Sequence, residues 1–241
     1  MNEHLDSAQL VGQIKHLIKS KDWYSLTESS RFVWEKSVKV MAEMISKEIG
    51  PIEPGEIQRI IENSFTPDAL SMVGQEYFVD LLLEIDPELI LWSEGDLSWQ
   101  AIKASRTGLT DRQGIRVELF AKNKGNKLKD IILSLVDEFD EEVCVVVIDD
   151  KENNLTHALS LRDQFSDMGV TIRTYHLNLR NAQANLEACM SFLSEMREKN
   201  IRLIVDMDGV LVNTDRVLSD LVSQKLALLL TKKTTSSPQR D

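Results

Sequence analysis

Ile201-Arg202-Leu203-Ile204-Val205-Asp206-Met207-Asp208-Gly209-Val210-Leu211-Val212-Asn213-Thr214 runs from an apolar stretch straight into two carboxylates and a glycine. The apolar part suits a buried strand of a parallel sheet. Open α/β sheets bind their ligands at strand tips of this kind. Paired acids at a buried tip need a partner, because unpaired buried charge is costly. A hard divalent cation, which takes oxygen ligands, is the partner that such a pair predicts.

Working outward, the rest of the chain from Leu89 alternates between two patterns. Leu89–Trp92, Ile115–Ala121, Val143–Ile148, Val170–Tyr175 and Ile201–Val205 read as strands. Between them, Ser98–Ala104, Lys127–Glu138, Leu155–Met168 and Leu186–Lys199 read as helices, and a last helix covers Arg216–Leu230. Strictly alternating strands and helices predict a doubly wound parallel sheet. Residues 4–85 differ. Leu10, Ile14, Leu17 and Ile18 recur at helical spacing, as do Phe32, Val33, Val40, Met41, Met44 and Ile45. Gly50-Pro51 and Pro54-Gly55 punctuate these helices. Trp23, Tyr24, Trp34 and Phe78 read as packing residues.

The chain has 241 residues, a net charge of -11 and 42% hydrophobic residues. Such acidity argues against nucleic acid or an anionic membrane surface as partner. No apolar run approaches membrane-spanning length, and the N-terminus lacks a signal pattern. Cys144 and Cys189 lie in regular elements and read as reduced, structural thiols. A cytoplasmic protein is the expectation.

Asp206-Met207-Asp208-Gly209 with the small and apolar residues after it resembles motif I of the haloacid dehalogenase-like (HAD) hydrolases, DxDG. The other three motifs of that family also have counterparts. Ser93, at a strand end with Gly95 following, resembles motif II. Lys124-Gly125, with Leu128 four residues beyond the lysine, resembles motif III, and Lys127 is the alternative lysine. Asp149-Asp150, with Asn154 and Ala158, resembles motif IV, which holds magnesium from a strand next to motif I. The family runs I, II, III, IV, whereas this chain runs II, III, IV, I. The resemblance therefore implies a circularly permuted HAD-like, Rossmannoid domain with a helical cap. Residues 1–87 would be cap-like, 88–214 the α/β core, 215–231 a helix packing with the cap, and 232–241 a flexible tail. Termini at the surface make such a permutation physically permissible.

The resemblance implies a phosphatase acting on a small phosphorylated metabolite. Asp206 would be the nucleophile, Asp208 the general acid and base, and Ser93 and Lys124 the phosphoryl contacts. Mg²⁺ would be held by Asp206, Asp208 and Asp150, with Asp149 and Asn154 as further candidates. The family has an acid where Asn154 stands. Asn213 and Asp215 read as caps of the last helix rather than substrate contacts. The stretch from Val145 to Tyr175 also resembles the opening of a response-regulator receiver, with Asp206 as its phospho-accepting residue. Receivers share the cyclic order of stations but lack an acid two residues past the aspartate. A receiver beginning near Val143 would also lack chain to finish its fold. A catalytically weak, regulatory HAD-like protein is the third alternative.

Overall fold

The computed structural model describes residues 7–20, 34–50, 52–70, 75–95, 97–138, 142–177, 182–196, 200–207, 210–212 and 216–235. In chain order, helices come first: α1 (Ser7–Ser20), α2 (Trp34–Ile49), α3 (Pro54–Glu62), α4 (Pro67–Leu70) and α5 (Gln75–Ile85). Then follow β1 (Leu89–Glu94), α6 (Leu97–Arg106), β2 (Ile115–Phe120), α7 (Lys124–Glu138) and β3 (Val143–Asp149). After these come α8 (Glu152–Ser160), α9 (Arg162–Ser166), β4 (Val170–His176), α10 (Ala182–Glu195) and β5 (Ile201–Asp206). A π-helical stretch, Arg216–Val222, runs into α11 (Ser223–Thr235).

Two compact units result, Ser71–Asn213 and Met1–Leu70 with Thr214–Asp241. The first of these holds a five-stranded, all-parallel sheet flanked by helices, in the order β2-β1-β5-β3-β4. The doubly wound α/β expectation is met. β5 lies at the centre, with β1 on one side and β3 on the other. Val143 to Asp149 of β3 are buried at every position, which is why that strand reads as a continuous β-branched run. Ile90 and Trp92 of β1, Val145 and Val147 of β3 and Ile204 of β5 share one core cluster. Leu128, Ile131, Ile132 and Leu135 of α7 cover it, as do Leu155 and Ala158 of α8. With a side-chain period of two, Asp149 and Asp206 continue the phase of Val147 and Ile204 on that face.

The entry of β5 is pinned from 116 residues away in sequence. The buried carboxylate of Asp86 accepts hydrogen bonds from Arg202 Nη1 at 2.8 Å and from the Leu203 amide at 2.6 Å. It also accepts from the Glu88 amide at 3.0 Å. Removing one partner of a buried pair costs about 3–5 kcal/mol, so this clasp fixes the register in which β5 presents its tip.

Several boundaries differ from the sequence reading: β1 runs on to Glu94, α10 starts at Ala182, the last helix opens as a π-helical stretch at Arg216, and two further differences have a local cause. The helix expected to begin at Lys127 begins at Lys124, because Asn123 adopts a left-handed φ of 63° that turns the chain directly into α7. The helix expected over Leu155–Met168 starts at Glu152 and breaks at Leu161, giving α8 and α9. There the Leu161 amide bonds back three residues to Ala158 at 3.2 Å, a tightening that no glycine or proline announces.

In the other unit, Ile14 and Ile18 of α1, Val38, Met41 and Ile45 of α2, and Ile57 and Ile61 of α3 are buried. Leu226, Ala227 and Leu230 of α11 are buried too, and α11 packs against α1 and α3. Lys225 Nζ donates to Ser64 Oγ at 3.1 Å. In the sheet-bearing unit, Phe78 is a buried packing residue of α5. Trp23, Tyr24, Phe32 and Val33 lie outside the described residues. Among the described residues no helix is long and apolar enough to cross a membrane.

Cys144 and Cys189 are buried thiols outside any disulfide. Burial pushes the Cys189 thiol from 9.0 up to about 12. Its folded value lies above its unfolded one, so its stabilising contribution is complete below about 9 and is lost as pH rises towards about 12. Iodoacetamide at pH 8 should therefore leave Cys189 unmodified in the native protein and alkylate it after unfolding, as mass spectrometry would show. Rapid native alkylation of Cys189 would contradict the placement of α10.

Candidate functional site

The tips of β1, β5 and β3 lie side by side, and each ends in a polar residue. Trp92 of β1 is in register with Asp206 of β5, and Ile148 of β3 with Val205 of β5. Asp206 closes β5, Asp149 closes β3, and Asp150 follows at once. One carboxylate oxygen from each of these three lies within 4.8 Å of the others. Asp149 and Asp206 are buried and Asp150 is partly so.

Lys124 reaches this cluster from the first position of α7. It is 3% exposed, and its Nζ lies 2.8 Å from Asp149 Oδ2 and also pairs with Asp206 Oδ1. The Trp92 ring sits beneath the ammonium, 4.1 Å from ring centre to Nζ. Two carboxylates and an aromatic face thus surround one cation, an arrangement strengthened by its exclusion from water. Lys127 is exposed and pairs with Asp130 at 3.0 Å, so the fold brings Lys124 and not Lys127 to the acids.

Asp149 is held on both its oxygens. Its Oδ1 accepts from the Lys151 amide at 2.8 Å, and Asn154 Nδ2 donates to both its oxygens at 3.0 Å. Asn154 therefore faces the cluster as a donor to Asp149. The carbonyl of Asp150 lies 2.9 Å from His176 Nε2 at the end of β4. Ser93 is buried at the end of β1, and its Oγ has no hydrogen-bond partner among the described residues. Asp208, Gly209, Asn213 and Asp215 lie outside the described residues.

The donor set is all oxygen, which suits a hard cation. Among the described residues, three carboxylates face the Lys124 ammonium, two of them buried, and a divalent cation suits such an excess of negative charge. The cluster is a possible metal site, and an acidic metal site at a strand tip is compatible with catalysis. No family model, curated protein or solved structure matches this chain. The chemistry of the site therefore rests on its own residues.

Two supporting residues were not singled out from the sequence. Trp92 reads there as an ordinary strand residue, and only the adjacency of β1 and β5 puts its ring under Lys124. Glu94 reads as part of a turn, yet its Oε2 accepts from the Lys124 amide at 2.6 Å. Gly125 has a local reason of its own. A Cβ there would lie 3.0 Å from His157 Cδ2 on α8, closer than nine in ten real contacts. Helix propensity alone favours Gly125→Ala by about 0.5–1 kcal/mol. That gain should be absent in the wild-type background and should return in a His157→Ala background, as denaturant titration of the four proteins would show. Equal effects in both backgrounds would mean that the two side chains do not meet.

Proposed function

We propose that this chain is a Mg²⁺-dependent phosphohydrolase of circularly permuted HAD-like type, acting on a small phosphate monoester through an aspartyl-phosphate. The observation that carries the reading is Lys124 Nζ between Asp149 and Asp206, at the tips of the neighbouring strands β3 and β5. The resemblance requires the motif IV strand to adjoin the motif I strand, and β3 pairs with β5. It also requires a hydroxyl and a lysine near the nucleophile, for which Ser93 and Lys124 are suited. The helices before β1, together with α11, are the candidates for the cap.

In this reading the Asp206 carboxylate attacks phosphorus. A P–O bond forms to Asp206, the P–O bond to the leaving alcohol breaks, and Asp208 gives that alcohol its proton. Water then attacks phosphorus and loses a proton to Asp208, the P–O bond to Asp206 breaks, and inorganic phosphate departs with the Asp206 carboxylate restored. Ser93 and Lys124 donate to the phosphoryl oxygens as charge develops on them. Asp206, Asp150 and the carbonyl of Asp208 would hold Mg²⁺, which when bound neutralises phosphoryl charge. Asp149, already engaged by Asn154 and Lys124, serves to orient the lysine.

A receiver-like, phospho-accepting module is the second reading, and one observation favours it. β1 and β2 complete the sheet beyond β5, so shortage of chain after Val143 no longer counts against a receiver. Asp208 separates the two, since it supplies the acid and base for turnover. The deciding experiment is hydrolysis of p-nitrophenyl phosphate with Mg²⁺ and with EDTA. Multiple turnovers that require the metal are expected. A stable phosphoryl group on Asp206 without turnover would favour the second reading.

A further inference from the structure

The lysine at the centre of the cluster is set from a strand that neither of its carboxylate partners belongs to. Glu94, the last residue of β1, accepts a hydrogen bond from the Lys124 backbone amide at 2.6 Å. That amide is one of the donors a helix N-terminus leaves without an intrahelical partner. A carboxylate there also meets the positive end of the α7 dipole. Asn123, with φ at 63°, makes the turn that aims this amide back towards β1.

The end of β1 that carries Glu94 is itself held. Gln100 of α6 is buried, and its Nε2 donates to the Glu94 carbonyl at 2.9 Å. Gly95 adopts a φ of 148°, and a Cβ there would lie 2.7 Å from Gln100 Nε2. Glycine is therefore required where the loop passes Gln100. The backbone of Lys124 is fixed by a chain of contacts running from α6 through Glu94. Its side chain then spans to Asp149 and Asp206 over the Trp92 ring. A free lysine side chain has many rotamers, so a misplaced α7 start would scatter the ammonium.

We infer that Glu94 is a positioning residue for Lys124. By accepting the Lys124 amide it sets the first turn of α7 and so delivers the ammonium between the two aspartates. Ser93 immediately precedes Glu94 in β1. Glu94 itself is exposed, so replacing it removes this contact with little loss of packing.

The test is acylation of the full chain with acetic anhydride, read lysine by lysine by mass spectrometry. In the wild type, Lys124 should be protected and the exposed Lys127 should react. In Glu94→Ala, labelling of Lys124 should rise about tenfold, the size expected for losing one charge-assisted hydrogen bond. Lys103, buried in α6, reports general loosening and should stay protected. Glu94→Gln keeps an acceptor oxygen and should restore protection. If Glu94→Ala does not fold, Glu94→Ser gives the same comparison, because its hydroxyl is too short to reach the amide. Unchanged protection of Lys124 in Glu94→Ala, or equal exposure of Lys103 and Lys124, would overturn the inference.

Activity gives a further arm, and only this arm rests on the phosphatase reading. There kcat should fall about tenfold in Glu94→Ala with KM little changed, and Glu94→Gln should recover it. Absence of turnover in the wild type would sink the phosphatase reading while leaving the labelling result to decide the role of Glu94.

Discussion

Asp206→Asn is expected to lower Mg²⁺-supported hydrolysis of p-nitrophenyl phosphate by about three orders of magnitude or more, with the fold retained. The amide has nearly the volume of the carboxylate, so the buried tip of β5 keeps its packing. Its oxygen can still accept from Lys124 Nζ, and Lys124 keeps its second partner, Asp149, at 2.8 Å. What disappears is the anionic oxygen to which the proposed mechanism assigns the attack on phosphorus. A hydroxylamine-labile phosphate label, trapped by rapid acid quench in the wild type, should be absent from the variant. The thermal midpoint should move little, because the change leaves two carboxylates against one ammonium rather than three. Turnover within about tenfold of wild type would remove Asp206 as the nucleophile.

That prediction concerns residues whose roles are suggested by the sequence, and the fold shows why those residues could be read. β3 is buried along its whole length and β5 from Leu203 onward, so both appear as unbroken apolar runs that end at an acid. The alternation of elements follows from the same burial. Other features were hidden because they depend on strand order. Nothing local in Trp92 or Glu94 says that β1 will lie beside β5, or that α7 will start within reach of it. Asn154 was legible as a position four residues after Asp150, yet its amide turns to Asp149. The choice between Lys124 and Lys127 rested on the start of α7, and Asn123 makes that start three residues earlier than periodicity implied. The break at Leu161 had no residue-type signal, since leucine neither stops nor bends a helix by itself.

Lys124→Met should produce the largest stability change of any single substitution at the cluster. The methionine approximates the lysine stem, so packing over Trp92 is largely kept, while the charge that offsets Asp149 and Asp206 is lost. All three side chains are nearly fully buried, so solvent does not screen the loss. Breaking a buried pair by removing one partner costs about 3–5 kcal/mol. For a protein of this length that corresponds to a fall in thermal midpoint on the order of 10 °C. Lys127→Met is the matched control, because its exposed pair with Asp130 is worth under about 1 kcal/mol. The direction of the Mg²⁺ effect then discriminates. In the variant the three carboxylates lose the Lys124 counter-charge, so adding Mg²⁺ should raise its midpoint more than that of the wild type. Binding at about a hundred times the dissociation constant returns roughly 2.7 kcal/mol, a large part of the deficit. Scanning calorimetry of wild type, Lys124→Met and Lys127→Met, each with Mg²⁺ and with EDTA, reads all of these at once. If Lys124→Met melted with the wild type in EDTA, the ammonium would not be what holds the two aspartates together. If Mg²⁺ raised neither midpoint, the three carboxylates would hold no divalent cation of that kind.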